Sequence, residues 1–326
     1  MKLLLRIIGI LLGVIVVLLL GGVGYLYLAY PKVSPAPDLT VEATPERIER
    51  GQYLVEHVMA CMGCHSERNF DTYSYLPIEG EIGAGGFRFG KENGLPGNIY
   101  AKNITPYNLQ NWTDGEIFRA ITAGVDKDGA PLFPIMPYLG YGQLDREDIL
   151  SVVAYLRTLP SIAKDVPATQ IDFPVSLIAR TFPTDPSFKN RPDPQDTIAH
   201  GEYLTTAGGC VACHTEMDGG RPVGPAFAGG QEFPVPGLGL FRSANITGDD
   251  ETGIGTWSRE DFIELFKSRS PENIRDIVVE PGEPNTIMTW WEYSGMTEAD
   301  LGAIYDYLMS VEPIRNEVVR FEPLPE

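Results

Sequence analysis

The stretch Cys61-Met62-Gly63-Cys64-His65 and its echo Cys210-Val211-Ala212-Cys213-His214 decide how the rest of the chain is read. Two cysteines three apart, followed at once by histidine, form the attachment signature of a c-type haem. On a helix, positions i, i+3 and i+4 share one face. Both sulfurs can then reach the two vinyl groups of one porphyrin, and the imidazole beside them can reach its iron. The two motifs use all four cysteines of the 326-residue chain. A zinc site built from thiol pairs usually holds them about 12–20 residues apart, whereas Cys61 and Cys210 lie 149 apart. A thioredoxin-like pair would sit near a βαβ pattern, and none is visible. The expectation is two covalently bound haem c groups, held by Cys61, Cys64, Cys210 and Cys213, with His65 and His214 as proximal iron ligands.

The formal charge is −19, and four haem propionates would add to it. Such acidity argues against nucleic acid or anionic lipid as a partner. It fits a partner with a basic docking patch, or plain solubility. Residues 46–162 carry 15 acidic and 10 basic side chains; residues 197–316 carry 19 and 7. A basic redox partner is therefore expected to meet the second stretch first.

From Ile7 to Tyr30 the chain is almost wholly apolar, with Lys2 and Arg6 in front. As a helix this run would span roughly 36 Å, enough to cross a bilayer. A cleaved signal peptide normally has an apolar core of about 7–15 residues and a small-residue cleavage site. This run is longer, and Pro37 spoils Ser34-Pro35-Ala36 as such a site. Tyr25, Tyr27 and Tyr30 read as an interfacial belt. Residues 1–30 are thus expected to be a retained transmembrane anchor with its basic end in the cytoplasm. No cysteine is left for a lipid anchor. Residues 31–45 hold Pro31, Pro35, Pro37 and Pro45 and read as an extended tether.

A repeat follows. Gly51-Gln52-Tyr53-Leu54 precedes the first motif and Gly201-Glu202-Tyr203-Leu204 the second. Asn103-Ile104-Thr105 is matched by Asn245-Ile246-Thr247, and Trp112-Thr113 by Trp257-Ser258. Thr113 with Glu116, and Ser258 with Asp261, resemble capping boxes. Asp145 with Asp148, and Thr297 with Asp300, open helices whose apolar residues recur at i, i+3, i+4 and i+7. Strand patterns are scarce, so the fold class expected is mainly α. The domains expected are 46–162 and 197–316, joined by a linker over 163–196 and followed by a tail over 317–326. Phe173, Val175, Leu177, Ile178 and Phe182 make that linker too apolar to be free, so it should pack against a domain. The Asn-x-Thr triplets at Asn103, Asn111 and Asn245 are read as coincidental rather than as glycosylation sites.

Each iron needs a sixth ligand from elsewhere in the chain, or it stays open to small molecules. Met136, in Pro134-Ile135-Met136-Pro137-Tyr138, and Met288, in Thr286-Ile287-Met288-Thr289-Trp290, stand at matching places before the last helix of each half. Thioether ligation suits electron transfer; core filler is the ordinary role of methionine. Met296 aligns with Leu144, a helix position. Met59, Met62 and Met217 adjoin the proximal histidines too closely to reach the far face. His57, on the same predicted helix as His65, and His200 read as structural. A carbonyl in the loops at Pro77 and Pro225 could accept the imidazole Nδ1–H. Trp112, Trp257, Tyr53 and Tyr203 either line the pockets, bond propionates or pack in the core. Between tryptophan and methionine the second half has seven more residues, and its loop Ser268–Pro284 is expected to shape a docking or exit surface.

The run Asn103-Ile-Thr, Trp112-Thr-Asp-Gly-Glu, Gly124-Val-Asp-Lys-Asp-Gly, Met136-Pro-Tyr and Leu156-Arg-Thr-Leu resembles the class I cytochrome c family, here taken twice. It is similar to the haem domains in cytochrome subunits of membrane-bound alcohol, aldehyde and gluconate dehydrogenases. The resemblance covers about 46–162 and 197–312. It implies axial pairs His65/Met136 and His214/Met288 and thioether links at the four cysteines. Those subunits typically carry three haem motifs, whereas this chain has two and an anchor at its N-terminus. The function expected is a membrane-anchored dihaem cytochrome c on the periplasmic face of a bacterial inner membrane. It would transfer electrons in a respiratory chain, as a carrier or as the electron-transfer subunit of a dehydrogenase or oxidase complex, with a membrane dehydrogenase, a quinol-oxidising complex or a terminal oxidase as partner, and break no substrate bonds. The alternative is a dihaem peroxidase or small-molecule oxidase with an open second haem.

Overall fold

The structure, a computed structural model, describes residues 1–218, 221–279, 283 and 285–323. Helix α1, Lys2–Ala29, has 28 residues, or roughly 42 Å at 1.5 Å per residue. None of its side chains is buried, and among the described residues it is the one helix long and apolar enough to cross a membrane.

The remaining chain repeats one set of elements twice. In the first half Thr44 caps α2, Pro45–Tyr53, through its side-chain oxygen and the Arg47 amide, and Pro45 fits the first turn because it has no amide to satisfy. The chain winds on through one wide turn, Leu54–Val58, and stops at Ala60, whose φ is +49°. The motif helix α3, Cys61–Cys64, starts afresh after it. His57 and His65 therefore do not share one helix, contrary to the expectation. The Thr113/Glu116 box opens α4, Asp114–Ala123. Asp145 caps α5, Arg146–Leu156, although it bonds the Glu147 amide rather than that of Asp148. In the second half come α6, Thr197–Ala207, α7, Cys210–Cys213, α8, Arg259–Lys267, with the Ser258/Asp261 box, and α9, Glu298–Ser310, capped by Thr297.

Within each half the first and last helices cross where a glycine removes the side chain. A Cβ on Gly51 would fall onto the Ser151 carbonyl of α5 and within 2.7 Å of the Tyr155 Cβ. A Cβ on Gly201 would fall onto the Ala303 carbonyl of α9 and within 2.7 Å of the Tyr307 Cβ. Leu54, Val55, Ile149 and Val153 are fully buried around the first crossing, and Leu204, Leu301 and Leu308 almost so around the second. The repeated Gly-x-Tyr-Leu is thus a packing motif.

Helix makes up 42% of the chain, and the structure holds short strands that the sequence did not announce. β1 (Arg88–Phe89), β2 (Gly97–Tyr100) and β3 (Gln170–Ile171) form one antiparallel ribbon. β4 (Met217–Asp218) pairs with β5 (Arg221–Pro222). β6 (Glu232–Val235), β7 (Gly239–Arg242) and β8 (Phe321–Pro323) form another three-stranded ribbon. Two to four residues are too few to show alternation, which explains the omission. β3 comes from the expected linker and β8 from the expected tail, so in both halves the chain beyond the last helix folds back as a third strand. Two of the three Asn-x-Thr triplets, those at Asn103 and Asn245, pin these returns. Asn103 donates to the Ile162 and Lys164 carbonyls and accepts from Thr105. Asn245 donates to the Ile314 carbonyl and accepts from Thr247. Both asparagines are buried, which removes them as glycosylation sites.

The halves meet through an exchange of tyrosines. Tyr53 donates to the Asp300 carboxylate on α9, and its oxygen accepts from the Thr297 amide. Tyr203 donates to Asp148 on α5 at 2.6 Å and accepts from the Asp145 amide. Both side chains are thus removed from the propionate role considered for them. Asp148 also takes a two-pronged bond from Arg50 at 2.9 and 2.7 Å. Burial alone would raise its pKa, but Arg50, Tyr203 and Arg191 together hold it below the usual carboxylate range. His200 bonds Asp300 at 2.7 Å. The loop expected as a docking surface turns back on the first half, where Val278 bridges to Thr72; its residues 280–282 and 284 lie outside the described chain.

Candidate functional site

Both motifs line one continuous cavity of about 2830 Å³. A pocket for one small ligand is about 300–1,000 Å³, so this volume suits more than one large flat group. Cys61, Cys64 and His65 stand on its wall, and so do Cys210, Cys213 and His214. Met136, Met288, Trp112 and Trp257 line it too. The eight residues named from sequence are thus gathered at one place. Met62 and Met296 are buried in the core instead, and with Met217 they stay off the cavity wall, whereas Met59 reaches it.

The motif helices begin alike. Ala60 and Gly209, the residues before Cys61 and Cys210, are left-handed, with φ of +49° and +66°. For alanine that conformation is strained. Ala60→Gly should therefore raise stability by about 0.5–1 kcal/mol. Chemical denaturation would check it, and a loss of stability would show that Ala60 is not strained. The peptide ahead of each turn is held by a tyrosine: Tyr141 donates to the Met59 carbonyl at 3.2 Å and Tyr293 to the Gly208 carbonyl at 2.8 Å.

Each motif histidine is fixed by a carbonyl. His65 Nδ1 lies 2.6 Å from the Lys102 oxygen and His214 Nδ1 lies 2.8 Å from the Ala244 oxygen. The acceptors directly precede Asn103 and Asn245 and do not lie in the expected loops at Pro77 and Pro225. The triplets are the signal that could have found them, because they fold the strand that presents the carbonyl. With the Nδ1–H donated, Nε2 is the nitrogen left for a metal. Burial lowers both imidazole pKa values against the opposing pull of these hydrogen bonds, which favours the neutral, metal-binding form. Burial likewise raises the Cys61 and Cys64 thiols, and a raised thiol suits thiolate redox chemistry poorly. Paired sulfurs, an oriented imidazole and a largely apolar wall fit a covalently held haem.

The methionine loops match despite Pro137 standing opposite Thr289. Each methionine carbonyl accepts from the amide two residues on, Tyr138 at 2.8 Å and Trp290 at 2.9 Å, and so starts a helical turn, Tyr138–Tyr141 or Trp290–Tyr293. The second loop is held from the first half. The Ser74 hydroxyl donates to the Met288 carbonyl at 2.5 Å, and the Ser74 amide donates to Asn285 at 2.9 Å. Glu292, on the turn Trp290–Tyr293, is fully buried. Its Oε1 accepts from the Gly63 amide of the first motif at 2.8 Å, while Oε2 has no protein partner. A Cβ at Gly63 would strike this carboxyl, which gives position 63 a reason to be glycine. Burial raises the Glu292 pKa to about 8, against the Gly63 amide and Arg68. Ser74, Asn285 and Glu292 carried no local sequence signal.

No protein-family model matches the chain. It is 29% identical over 297 residues to the cytochrome c subunit of a quinone alcohol dehydrogenase from Komagataeibacter europaeus, covering 84% of this chain and 58% of that protein. It is 30% identical over 303 residues to the fructose dehydrogenase cytochrome subunit of Gluconobacter japonicus, covering 88% and 57%. It is 26% identical over 216 residues to a "diheme cytochrome c-type" protein of Cereibacter sphaeroides, covering 64% and 69%. The chain thus spans less than three-fifths of the two dehydrogenase subunits. Taken with the oriented histidines and the cavity they share, these likenesses make the chain a homologue of the cytochrome c subunits of alcohol, fructose and gluconate dehydrogenases and of a dihaem c-type cytochrome.

Proposed function

We propose that the chain is a membrane-anchored dihaem cytochrome c that passes electrons from a dehydrogenase, or another redox partner, to an acceptor on the periplasmic face of a bacterial inner membrane. In this reading 46–162 and 197–316 are two tandem class I domains. Cys61 and Cys64 would hold one haem and Cys210 and Cys213 the other, and His65 with Met136, and His214 with Met288, would ligate the two irons. The observation that carries the reading is the single cavity that collects both motifs and both methionines. Bound haem iron supplies a one-electron couple. The chain's own part is to fix the imidazoles through Lys102 and Ala244, to bring a thioether to each iron, and to keep water off with apolar walls. The tyrosine exchange holds the two halves, and so the two sites, in one arrangement. α1 supplies the tether, and the acidic surface suits a basic docking patch.

Carbon monoxide added to the dithionite-reduced protein should leave the visible spectrum unchanged, because both irons are capped. Met136→Ala and Met288→Ala should each let about half the haem bind it. Binding by half the haem in the unaltered protein would overturn the capped arrangement and favour a dihaem enzyme.

A further inference from the structure

The segment 173–182 hooks around the end of α1. Its two helical turns, Val175–Ile178 and Ala179–Thr181, pack against that helix. Arg180 ties the two together. Its guanidinium donates to the Tyr27 carbonyl at 3.1 Å and to the Tyr30 carbonyl, and lies 4.4 Å from the centre of the Tyr27 ring. Beyond the helix the Ser34 amide and hydroxyl both donate to Asp185, at 2.7 and 2.9 Å. The hook at Arg180 and the chain just after it at Asp185 are therefore tied to the chain leaving α1, and the height of the hook relative to that helix is set. On its outer side Phe173 is 74% exposed, the most exposed aromatic side chain among the described residues, and Ile178 is 46% exposed. At the end of α1 that the hook packs against, Tyr25, Tyr27 and Leu28 are likewise exposed, by 64%, 64% and 89%.

We propose that Phe173 and Ile178 insert into the boundary between headgroups and acyl chains of the leaflet from which α1 emerges, so that the hook is a second membrane contact. The proposal rests on reading α1 as a membrane span. Tyrosines at a helix end mark the interfacial level, and Arg180 fixes the hook at that level. A chain of net charge −19 gains nothing from anionic lipid, so the contact is apolar and independent of salt. It also has a consequence for orientation. One helix on an extended tether would let the body rotate freely, whereas a second contact holds it. Ser176 and Arg180 line the haem cavity as well, so this contact sets the cavity's rim beside the membrane surface.

The test uses the full-length chain in nanodiscs of phosphatidylcholine and phosphatidylethanolamine. The photocrosslinker p-benzoylphenylalanine replaces Leu18 in α1, Phe173 or Ile178 in the hook, or Val319, an apolar residue on the tail of the second half whose 65% exposure lies between those of Phe173 and Ile178. The haem spectrum of each variant reports that it has folded. After irradiation, mass spectrometry should find a gain of one phospholipid at positions 18, 173 and 178 and none at 319. Lipid adducts at 18 alone would overturn the hook and leave the anchor standing. No adduct at any position would overturn the anchor reading and the hook with it, and adducts at all four would overturn the hook's selectivity.

Discussion

Gly201→Ala and Gly51→Ala should each destabilise the folded protein by about 3 kcal/mol or more, at or beyond the upper end of the usual cost of overpacking. The reason is the identity of the atoms that are met. A new methyl at position 51 lands on the Ser151 carbonyl, and at position 201 on the Ala303 carbonyl. Both are backbone atoms inside a hydrogen-bonded helix, so no side chain can swing away. Relief requires the helices to separate, and separation opens voids beside Leu54 and Leu204, which are essentially fully buried. Gly140→Ala is the control. Its Cβ would meet the nearest atom, the Thr206 oxygen, at an ordinary 3.5 Å, and the change should stay within about ±0.5 kcal/mol. Denaturant titrations followed by haem absorbance would compare the three. A loss below about 1 kcal/mol at both crossing glycines would mean that the helices do not pack as described.

Glu292→Gln should remove a pH dependence of stability between about pH 5 and 8. The folded protein raises the Glu292 pKa from 4.5 to about 8, chiefly by burial. Between those values the folded state keeps a proton that the unfolded state releases. Stability therefore falls as pH rises, because the folded state binds more protons. The contribution is fully present below pH 4.5 and is lost as pH climbs through 8. At about 1.36 kcal/mol per unit the whole effect is on the order of 4–5 kcal/mol. Glutamine keeps an oxygen for the Gly63 amide and carries no charge. The variant should therefore match the wild type near pH 5 and exceed it by a few kcal/mol near pH 9. Unfolding midpoints at pH 5, 7 and 9 would show this as the difference between the two proteins, so other titrating groups cancel. Parallel profiles would mean that Glu292 does not hold its proton in the folded state.

The haem motifs, the repeat, and the helix starts at Thr113, Asp145, Ser258 and Thr297 were all determined by the sequence itself. Each is a local device. A cap joins residues two or three apart, and an apolar stripe returns every third or fourth position, so chain order alone contains the geometry. The matching loops at Met136 and Met288 were legible for a related reason: they recur at the same place in both copies. Tertiary structure decided what those devices face. His65 finds its carbonyl 37 residues away and His214 finds one 30 away. Tyr53 and Asp300 meet across 247 residues, and the Gly63 amide and Glu292 across 229. No periodicity spans such distances. The histidine pairings arise only when each half closes its own loops around the motif, and the Tyr53–Asp300 and Gly63–Glu292 pairings only when the two halves meet and leave buried polar groups to satisfy one another.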